Sequence, residues 1–590
     1  MAVQPQLVVA GGSSKSCVKR FFLPLFAVFL FFLPSYGQEQ NPDQARLAAA
    51  QGAFDAGRWD ETARLTQGPA DQSPELDFLR GLALARLEKW DESKLAFEAG
   101  ARKSPLDSRF PVELAGIAYK QKDFRFAKKN LQTALLLNPA NAYANEFLAT
   151  IYFLEGNLEA ALKFWNRVQK PRLRSAAFAP SLQLNEELRN RALAFNAPQV
   201  LTGEALLNTK SRLDNLEIFS SRRIELTPAD SGSHDVTLHL AEKNLWGDSK
   251  AEGIVSLLSG LPYATVYPEL YNLDHDAVNL TSLVRWDSQK RRLLAAVSLP
   301  VYGDPGLRLR FYADARNENW NLSQTYSGAV TPLTDLNLRR VAVGAEFHSV
   351  VNGRWSWRAG AEAANRNFRN TNGATSSVQR PFFNDGNSLA GWIGAQRTLL
   401  SVPERRFTLD SSAEAKAGRE FATGLGPFAT TRGSLIAHWF PHAKGEDYEM
   451  RAQIRAGATA GKVSLDELFQ LGVERDNDLW LRGHAGTTDG RKGAAPLGRR
   501  YFLANWETDK NIYENGLFTV KLGPFLDSGA IADSSGLFGS QRWEWDSGLQ
   551  CKVRILGSVT AVFSYGRNLR GGKGVFYGTV FADPLRRPGF

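Results

Sequence analysis

The sequence predicts a multidomain protein in which an α-helical solenoid and a small α+β module precede a C-terminal transmembrane antiparallel β-barrel of about sixteen strands. Small residues recur every 34 residues in the N-terminal part, and short segments alternate between apolar and polar residues in the C-terminal part. The length of 590 residues is also too great for one ordinary domain. The predicted boundaries are 1–37 for a removable leader, 41–170 for the solenoid, 171–245 for the module and 250–590 for the barrel.

The leader has the pattern of a secretory signal peptide. Lys15, Lys19 and Arg20 form a positive flank, and residues 21–34 form an apolar core interrupted by prolines. This core is shorter than the ~20 residues that a helix needs to span a bilayer. We therefore expect residues 1–37 to direct export and then to be removed.

The net charge and the cysteine count limit which partners and cross-links the chain can have. The chain has a net charge of +10, which falls to +7 without the three basic residues of the leader, and it has no Lys/Arg-rich run. Such a mild charge argues against a nucleic-acid partner. Of the two cysteines, Cys17 lies in the leader, so we expect no internal disulfide and a small buried or lipid-facing side chain at Cys551.

The solenoid prediction depends on a period of 34 residues. The spacing relates Gly81 to Ala115 and Ala149, Ser93 to Ala127 and Ala161, and Gly100 to Ala134. Small side chains at these positions let the two helices of a pair approach closely. The pattern resembles the tetratricopeptide repeat. The resemblance implies a concave groove for a peptide or a periplasmic partner protein, and a spacer without a partner is the alternative.

The module has a different pattern of elements. The sequence predicts a strand at 172–180, helices at 185–194 and 203–216, and a hairpin formed by 223–226 and 236–240. This order of strand, helix, helix, strand and strand resembles a POTRA module. The resemblance implies that an extended substrate adds a strand to an exposed sheet edge.

From about residue 250 onward the helical period disappears. Alternating segments include 278–284, 293–299, 307–313, 355–361 and 518–524. Segments of about ten residues joined by turns suit tilted membrane strands, and the chain after the leader contains no apolar run long enough for a spanning helix. A soluble sandwich or propeller is the competing interpretation. Phe581 and Phe590 are both candidates for a terminal aromatic assembly signal.

Two motifs carry the functional prediction. Leu481, Arg482, Gly483 and His484 lie in a Gly-, Asp- and Asn-rich loop, and the segment Phe525-Leu526-Asp527-Ser528-Gly529 ends an alternating run that begins at Leu517. A loop that folds back into a barrel could bring the Arg482 guanidinium against the Asp527 carboxylate in a bidentate contact.

These motifs resemble those of the BamA/TamA superfamily of outer-membrane barrels, the bacterial surface antigen family. In that family an aliphatic-Arg-Gly-aromatic motif at the tip of an inward loop meets the Asp of a Phe-x-Asp-x-Gly motif on a strand. The resemblance assigns the loop motif to Leu481–His484 and the strand motif to Phe525, Asp527 and Gly529. His484 departs from the pattern, because the family usually has Tyr or Phe there.

The resemblance implies insertion of unfolded or partly folded polypeptides into the bacterial outer membrane, or their translocation across it. The N-terminal domains would lie in the periplasm, and outer-membrane lipid would surround the barrel. A polysaccharide-export porin with tetratricopeptide repeats is the main alternative, and a structural or receptor barrel is the third.

Residues suited to catalysis are sparse. His438 and His442 flank Trp439-Phe440-Pro441, but the sequence offers no further ligands for a metal site. Residues 571–574 (GGKG) lack the strand-loop-helix context of a phosphate-binding loop. We therefore expect no enzymatic activity, no metal and no cofactor.

Overall fold

The structure is a computed structural model. It describes residues 42–69, 72–243, 257, 259–324, 331–371, 382–421, 426–533, 542–555 and 559–581. The predicted leader (1–37) and Phe590 lie outside these residues.

The N-terminal region consists of helices. They are α1 (Pro42–Asp55), α2 (Trp59–Leu65), α3 (Pro74–Arg86), α4 (Trp90–Lys103), α5 (Arg109–Lys120), α6 (Phe124–Leu137), α7 (Ala142–Leu154) and α8 (Leu158–Trp165). Polar side chains cap three of the helix starts: Asp123 accepts a hydrogen bond from a backbone N–H of α6, Asn141 from one of α7 and Asn157 from one of α8. None of the described helices is long and apolar enough to cross a membrane.

The chain forms two compact units, and the division falls between Pro105 and Leu106. The first unit contains α1–α4. Within it, the Ser93 hydroxyl donates a hydrogen bond of 2.7 Å to the Gly81 carbonyl, and both Ser93 and Phe97 are fully buried. A Cβ atom at Gly81 would lie 2.5 Å from the Phe97 ring. Helices α3 and α4 therefore approach closely only because residue 81 has no side chain.

Replacing Gly81 with alanine is expected to destabilise the first unit. The added methyl group must displace the Phe97 ring, and overpacking of this kind costs about 1–3 kcal/mol. Thermal unfolding of the full chain, followed by the helical circular dichroism band at 222 nm, measures the effect. Gly52→Ala in α1 is the matched control: it adds the same group where no atom lies within 4 Å, so it should be neutral or stabilising. Equal melting curves for the two variants would contradict the packing argument.

The second unit begins with α5–α8. The small residues Ala115, Ala127, Ala134, Ala149 and Ala161 are all fully buried there. The hydrophobic core that they join continues into the following α+β module, through residues such as Leu206 and Val236. This continuous core gives a physical reason for a division inside the predicted 41–170 segment and not at its end.

The α+β module contains β1 (Arg172–Ala179), α9 (Glu186–Ala192), α10 (Gly203–Leu216), β2 (Phe219–Pro228) and β3 (Ser233–Glu242). The sequence predicts the same order of elements. Helix α9 is shorter than the predicted 185–194, because Leu193 already has an extended backbone. The sheet has the order β1-β3-β2, with β1 parallel and β2 antiparallel to β3.

The remaining strands follow the module. They are β4 (Thr265–Val266), β5 (Glu269–Leu273), β6 (Val278–Trp286), β7 (Lys290–Val301), β8 (Asp304–Gln324), β9 (Thr331–Asn352), β10 (Trp355–Arg369), β11 (Gly386–Val402), β12 (Phe407–Phe421), β13 (Pro427–Trp439), β14 (Tyr448–Gly461), β15 (Phe469–Gln470), β16 (Thr487–Thr488), β17 (Arg491–Lys492), β18 (Leu497–Gly498), β19 (Arg500–Glu514), β20 (Phe518–Ala532), β21 (Glu544–Ile555), β22 (Val559–Asn568) and β23 (Gly574–Phe581).

Eighteen of these strands form one large sheet whose long neighbours pair in an antiparallel manner, and β15 pairs separately with β18. The sequence predicts about sixteen strands. The difference arises among the short elements: β4 and β5 both pair with β6, and β16 and β17 are two-residue strands in one loop. In the order of the sheet, β23 comes next to β4. The Tyr263 hydroxyl, just before β4, donates a hydrogen bond to the Gly578 carbonyl of β23.

The two faces of the large sheet have opposite chemistry. Large apolar side chains are exposed on the outer face, among them Leu293 and Ile393. Charged side chains are buried on the inner face, among them Arg285, Arg292 and Asp314. This is the reverse of the arrangement in a water-soluble sheet, where the buried face is apolar.

The outer face changes character along the longest hairpin, β8–β9. Near the turns that contact the module it carries Phe311 and Val343, both more than half exposed. Farther along, Asn337 donates hydrogen bonds to Asn317 and Asn319 across the strand pair, at 2.6 and 2.8 Å. The apolar outer face of this hairpin therefore gives way to a ladder of amide side chains.

Candidate functional site

The loop between β14 and β19, residues 462–499, folds onto the inner face of the large sheet. Leu471 and Leu481 of this loop are buried and pack with Leu503 of β19 and Ile531 of β20. This apolar contact attaches the middle of the loop to the sheet. It also sets the position of Arg482, which follows Leu481 directly.

The structure brings Arg482 and Asp527 together. Arg482 Nε lies 2.8 Å from Asp527 Oδ2, and Arg482 Nη2 lies 2.7 Å from Asp527 Oδ1. The backbone N–H of Arg482 also donates a hydrogen bond of 3.0 Å to Asp527 Oδ2. The side chains are 4% and 0% exposed. This is a bidentate, charge-assisted pair with almost no access to water.

Further groups bind the remaining N–H donors and one face of the Arg482 guanidinium. Arg482 Nη1 lies 3.0 Å from Glu507 Oε2 and 2.8 Å from Gln550 Oε1. The guanidinium carbon lies 3.8 Å from the centre of the Phe525 ring. Phe525, two residues before Asp527 on the same face of β20, thus supplies a cation-π contact. Three strands, β19 to β21, together hold one arginine of the loop.

Gly483 and His484 extend the contact to β21 and β22. The Gly483 N–H donates a hydrogen bond of 2.5 Å to Asp546 Oδ2. His484 Nδ1 lies 3.0 Å from Asp546 Oδ2, and His484 Nε2 lies 2.9 Å from Asn568 Nδ2. The imidazole therefore makes polar contacts at the position where the resemblance expects a Tyr or Phe side chain.

Two glycines of the motifs stand where chain segments approach closely. A Cβ atom at Gly483 would lie 2.6 Å from Asp546 Cγ, and one at Gly529 would lie 2.9 Å from the Phe502 carbonyl oxygen. Neither position has room for a side chain without movement of its neighbours. The absence of a side chain thus lets the loop lie close to β21 at Gly483, and lets β19 lie close to β20 at Gly529.

Asp527 lies well inside β20, and the prediction that its motif ends a strand is wrong. The strand continues to Ala532, because Asp527 pairs with Asn505 and Gly529 pairs with Leu503 in the ladder with β19. Asn505 Nδ2 also donates a hydrogen bond of 2.7 Å to Asp527 Oδ1. The run Ser528-Gly529-Ala530 has the composition of a turn, but Ser528 and Gly529 remain paired on both sides and Ala530 remains paired with β19.

Sequence reasoning missed a second attachment of the same loop. Asp476 accepts hydrogen bonds from Arg285 at 2.6 and 3.1 Å and from Arg292 at 3.1 Å. Glu474 lies 3.1 Å from Lys290. All these charged groups lie on β6, β7 or the loop. The acidic residues in the run Glu474-Arg475-Asp476, placed before the Arg482 motif, were the available signal.

The loop also contacts both strands at the junction of β4 and β23. The Arg475 guanidinium lies 4.5 Å from the centre of the Tyr263 ring and 5.6 Å from that of the Tyr267 ring. The Trp480 ring lies 5.7 Å from the Tyr577 ring of β23, edge to face. One loop thus touches the first and the last parts of the sheet.

The α+β module covers the opposite end of the inner face. Arg308 of β8 donates a hydrogen bond of 2.9 Å to the Leu216 carbonyl at the end of α10. Asn215 donates one of 2.8 Å to the Pro305 carbonyl, and Asn279 donates one of 3.1 Å to Leu216. A cation at the C-terminus of a helix is favourable because the last carbonyls carry partial negative charge. Between module and loop lies a cavity of about 1340 Å³.

The two histidines of the sequence search have separate surroundings. His438 Nε2 lies 2.7 Å from Glu449 Oε1, and His442 Nδ1 lies 3.9 Å from Asp447 Oδ2. Each imidazole faces its own carboxylate. The pair therefore does not converge on a common point.

Comparison with known proteins gives weak likenesses. No model of a protein family matches the sequence, and no curated protein does. Among solved structures the chain is similar to BamA from Haemophilus ducreyi lacking POTRA domains 1-3, with a TM-score of 0.41 and 12% identity over 70% of this chain and 84% of that one. It is similar to CdiB from Escherichia coli, with a TM-score of 0.43 and 14% identity over 70% and 77% of the two chains.

CdiB from Acinetobacter baumannii gives a TM-score of 0.40 and 13% identity over 70% of this chain and 74% of that one. A structure of MamA matches 22% of this chain and 77% of its own, with a TM-score of 0.21 and 13% identity. At TM-scores below 0.5 these likenesses do not define a family for the chain.

Proposed function

We propose that the large sheet is a closed β-barrel in the bacterial outer membrane, and that it inserts polypeptides into this membrane or moves them across it. The observation that carries the proposal is the loop held against the inner face by the buried pair of Arg482 and Asp527. Removing one partner of such a buried ion pair is costly, so the pair fixes the position of the loop inside the sheet.

The chemistry of the two faces supports a membrane location. Exposed apolar side chains on the outer face, such as Val341 and Leu389, suit contact with lipid, whereas water would disfavour them. The ionic inner face suits a polar interior. In this arrangement the N-terminal domains lie on the periplasmic side, and the module contacts the short turns that end at Asp304 and Trp355.

The mechanism has three parts. The helices α1–α8, as tetratricopeptide repeats, recruit a partner or substrate. The module, as a POTRA domain, receives the substrate as an added strand, and β2 at the edge of its sheet offers unpaired backbone groups for this step. The barrel then admits the substrate at the junction of β4 and β23, where the inward loop contacts both sides. No step uses a nucleotide or a catalytic side chain.

A polysaccharide-export porin fits the structure less well. Such a channel needs a wide aqueous path for a hydrated sugar chain. Here the loop occupies the interior and binds two separate parts of the sheet, β6 and β7 through Asp476 and β19–β21 through Arg482.

The proposal is tested with the full chain reconstituted in liposomes. A urea-unfolded outer-membrane barrel protein is added from outside, and its folding is followed by the shift of its band on unheated gels. We expect folding to be at least severalfold faster than in liposomes that contain an unrelated barrel. Equal rates, together with swelling of the liposomes in maltooligosaccharide solution, would contradict the proposal and favour the porin.

A further inference from the structure

The cavity between the module and the loop, called the chamber below, has an unbalanced wall. Among the described residues that line it, fourteen are Lys or Arg and eight are Asp or Glu. The wall thus carries six more positive than negative side chains. Three further carboxylates lie directly behind this wall and pair with lining residues, so the net excess is three: Asp314 beside Arg292, Asp509 beside Lys552 and Asp527 beside Arg482.

Some of the basic side chains of the wall are neutralised. Lys552 lies 2.9 Å from Glu507 and 2.6 Å from Asp509, and Lys521 lies 2.7 Å from Glu449. These lysines stand directly opposite each other on β20 and β21. Two like charges in such positions repel each other unless carboxylates lie nearby. The three carboxylates Glu507, Asp509 and Glu449 neutralise the two lysines in this part of the wall.

Three other arginines of the wall have no such partner. Arg310 on β8, Arg451 on β14 and Arg554 on β21 line the chamber, and none of them makes an ion pair or side-chain hydrogen bond within the described part of the chain. Arg451 stands opposite Glu507 in the ladder, but that carboxylate is already held by Arg482 and Lys552. The three guanidinium groups lie on separate parts of the wall and leave its positive charge uncompensated.

We propose that the chamber accumulates small inorganic anions and makes the ionic conductance of the chain anion-selective. Three excess positive charges around about 1340 Å³ produce a positive potential, because the protein wall has a low dielectric constant and focuses the field. Mobile anions lower the energy of this arrangement, and cations are repelled. The inference goes beyond polypeptide transport, because it concerns the ions that occupy the interior whether or not a substrate is present.

The first test is the reversal potential of the full chain in a planar bilayer under a KCl gradient. We expect the permeability to chloride to exceed that to potassium by at least about twofold. The variant R310Q/R451Q/R554Q removes the excess charge of the chamber and should move the permeability ratio toward one. The control R339Q/R500Q/R567Q removes the same charge from exposed positions outside the chamber and should leave the ratio unchanged.

A second measurement needs neither membrane insertion nor conduction. In detergent, chloride that exchanges with a protein site broadens the chloride-35 resonance of the solution. The chamber variant should reduce this broadening by more than the exposed control does. A cation-selective or unselective wild-type pore, or equal chloride line widths for the two triple variants, would overturn the proposal. Because the line width is independent of substrate folding, it separates this inference from the proposed transport function.

Discussion

Replacing Arg482 with alanine is expected to release the loop from the inner face and to destabilise the folded chain by about 3–5 kcal/mol. The cause is the carboxylate that remains. Asp527 is fully buried, and without the Arg482 guanidinium it keeps the Asn505 amide and the backbone N–H of residue 482, but no positively charged group at hydrogen-bond distance among the described residues. Glu507 retains Lys552, so the loss is concentrated at Asp527. Urea unfolding in detergent micelles, followed by tryptophan fluorescence, measures the change.

Arg491→Ala is the matched control for this prediction. Arg491 lies in the same loop, but its side chain is 41% exposed and pairs with Asp335 at 3.4 Å. Loss of an exposed pair costs at most about 1 kcal/mol. Arg482→Lys should fall between the two, because an ammonium group keeps the charge but cannot make the two parallel hydrogen bonds.

Exchanging the two charges, with aspartate at position 482 and arginine at position 527, should restore part of the stability. The folding rate of the substrate in liposomes should fall in the same order as the stability of these variants. If the R482A variant has the same urea midpoint and the same substrate-folding activity as the wild type, the loop attachment has no functional role. If it acts like the wild type but unfolds at lower urea, the pair is structural only.

The second large effect is expected for Asp476→Ala. Asp476 binds two buried arginines, and its removal leaves Arg285 with no carboxylate at hydrogen-bond distance among the described residues, whereas Arg292 keeps Asp314. An unpaired buried guanidinium costs several kcal/mol, about 3–5 when a partner is removed. We therefore expect a loss comparable to that of the Arg482 variant, although it arises at β6 and β7.

Asp478→Ala provides the control on the same loop. Its carboxylate is half exposed and lies 3.4 Å from Arg455, so the expected loss is below about 1 kcal/mol. Trypsin cleavage of the loop in the detergent-solubilised protein gives a second readout. Faster cleavage in the Asp476 variant than in the Asp478 variant would show that the loop has left the wall. Similar cleavage rates would mean that the Asp476 contacts are not needed to hold the loop against the sheet.

The sequence allowed the prediction of the Arg482–Asp527 contact because both residues stand in short patterns whose chemistry is complementary. The Asp476 contact could not be found in the same way. Its partners Arg285 and Arg292 lie about 190 residues earlier in unremarkable strands, and only the register of the sheet brings them to the loop. Their inward orientation follows from alternation, but their position around the sheet does not.

The bounds of an element could likewise be predicted where local residues determine them, and not where distant contacts do. Helix α10 agrees with its predicted bounds, because its apolar period and the Thr202 cap are local signals. The continuation of β20 past Asp527 was missed, since the small residues that follow resemble a turn and are kept extended by both neighbours. The division after Pro105 has no counterpart among the sequence predictions. It depends on the core shared by α5–α8 and the module, which no local pattern reveals.

In the proposed membrane arrangement, the ladder of amides on β8 and β9 has a consequence for where the water surface lies. These strands have 21 and 22 residues, whereas ~9–11 suffice to cross the hydrocarbon layer. At ~3.3 Å per residue and a tilt of ~45°, such a hairpin rises about 50 Å, so about 20 Å would stand clear of a ~30 Å layer. The change from Val341 to Asn337 then marks the level at which the hairpin leaves the hydrocarbon layer and enters water. The upper part of the hairpin would be a rigid, hydrophilic wall, accessible to antibodies on intact cells.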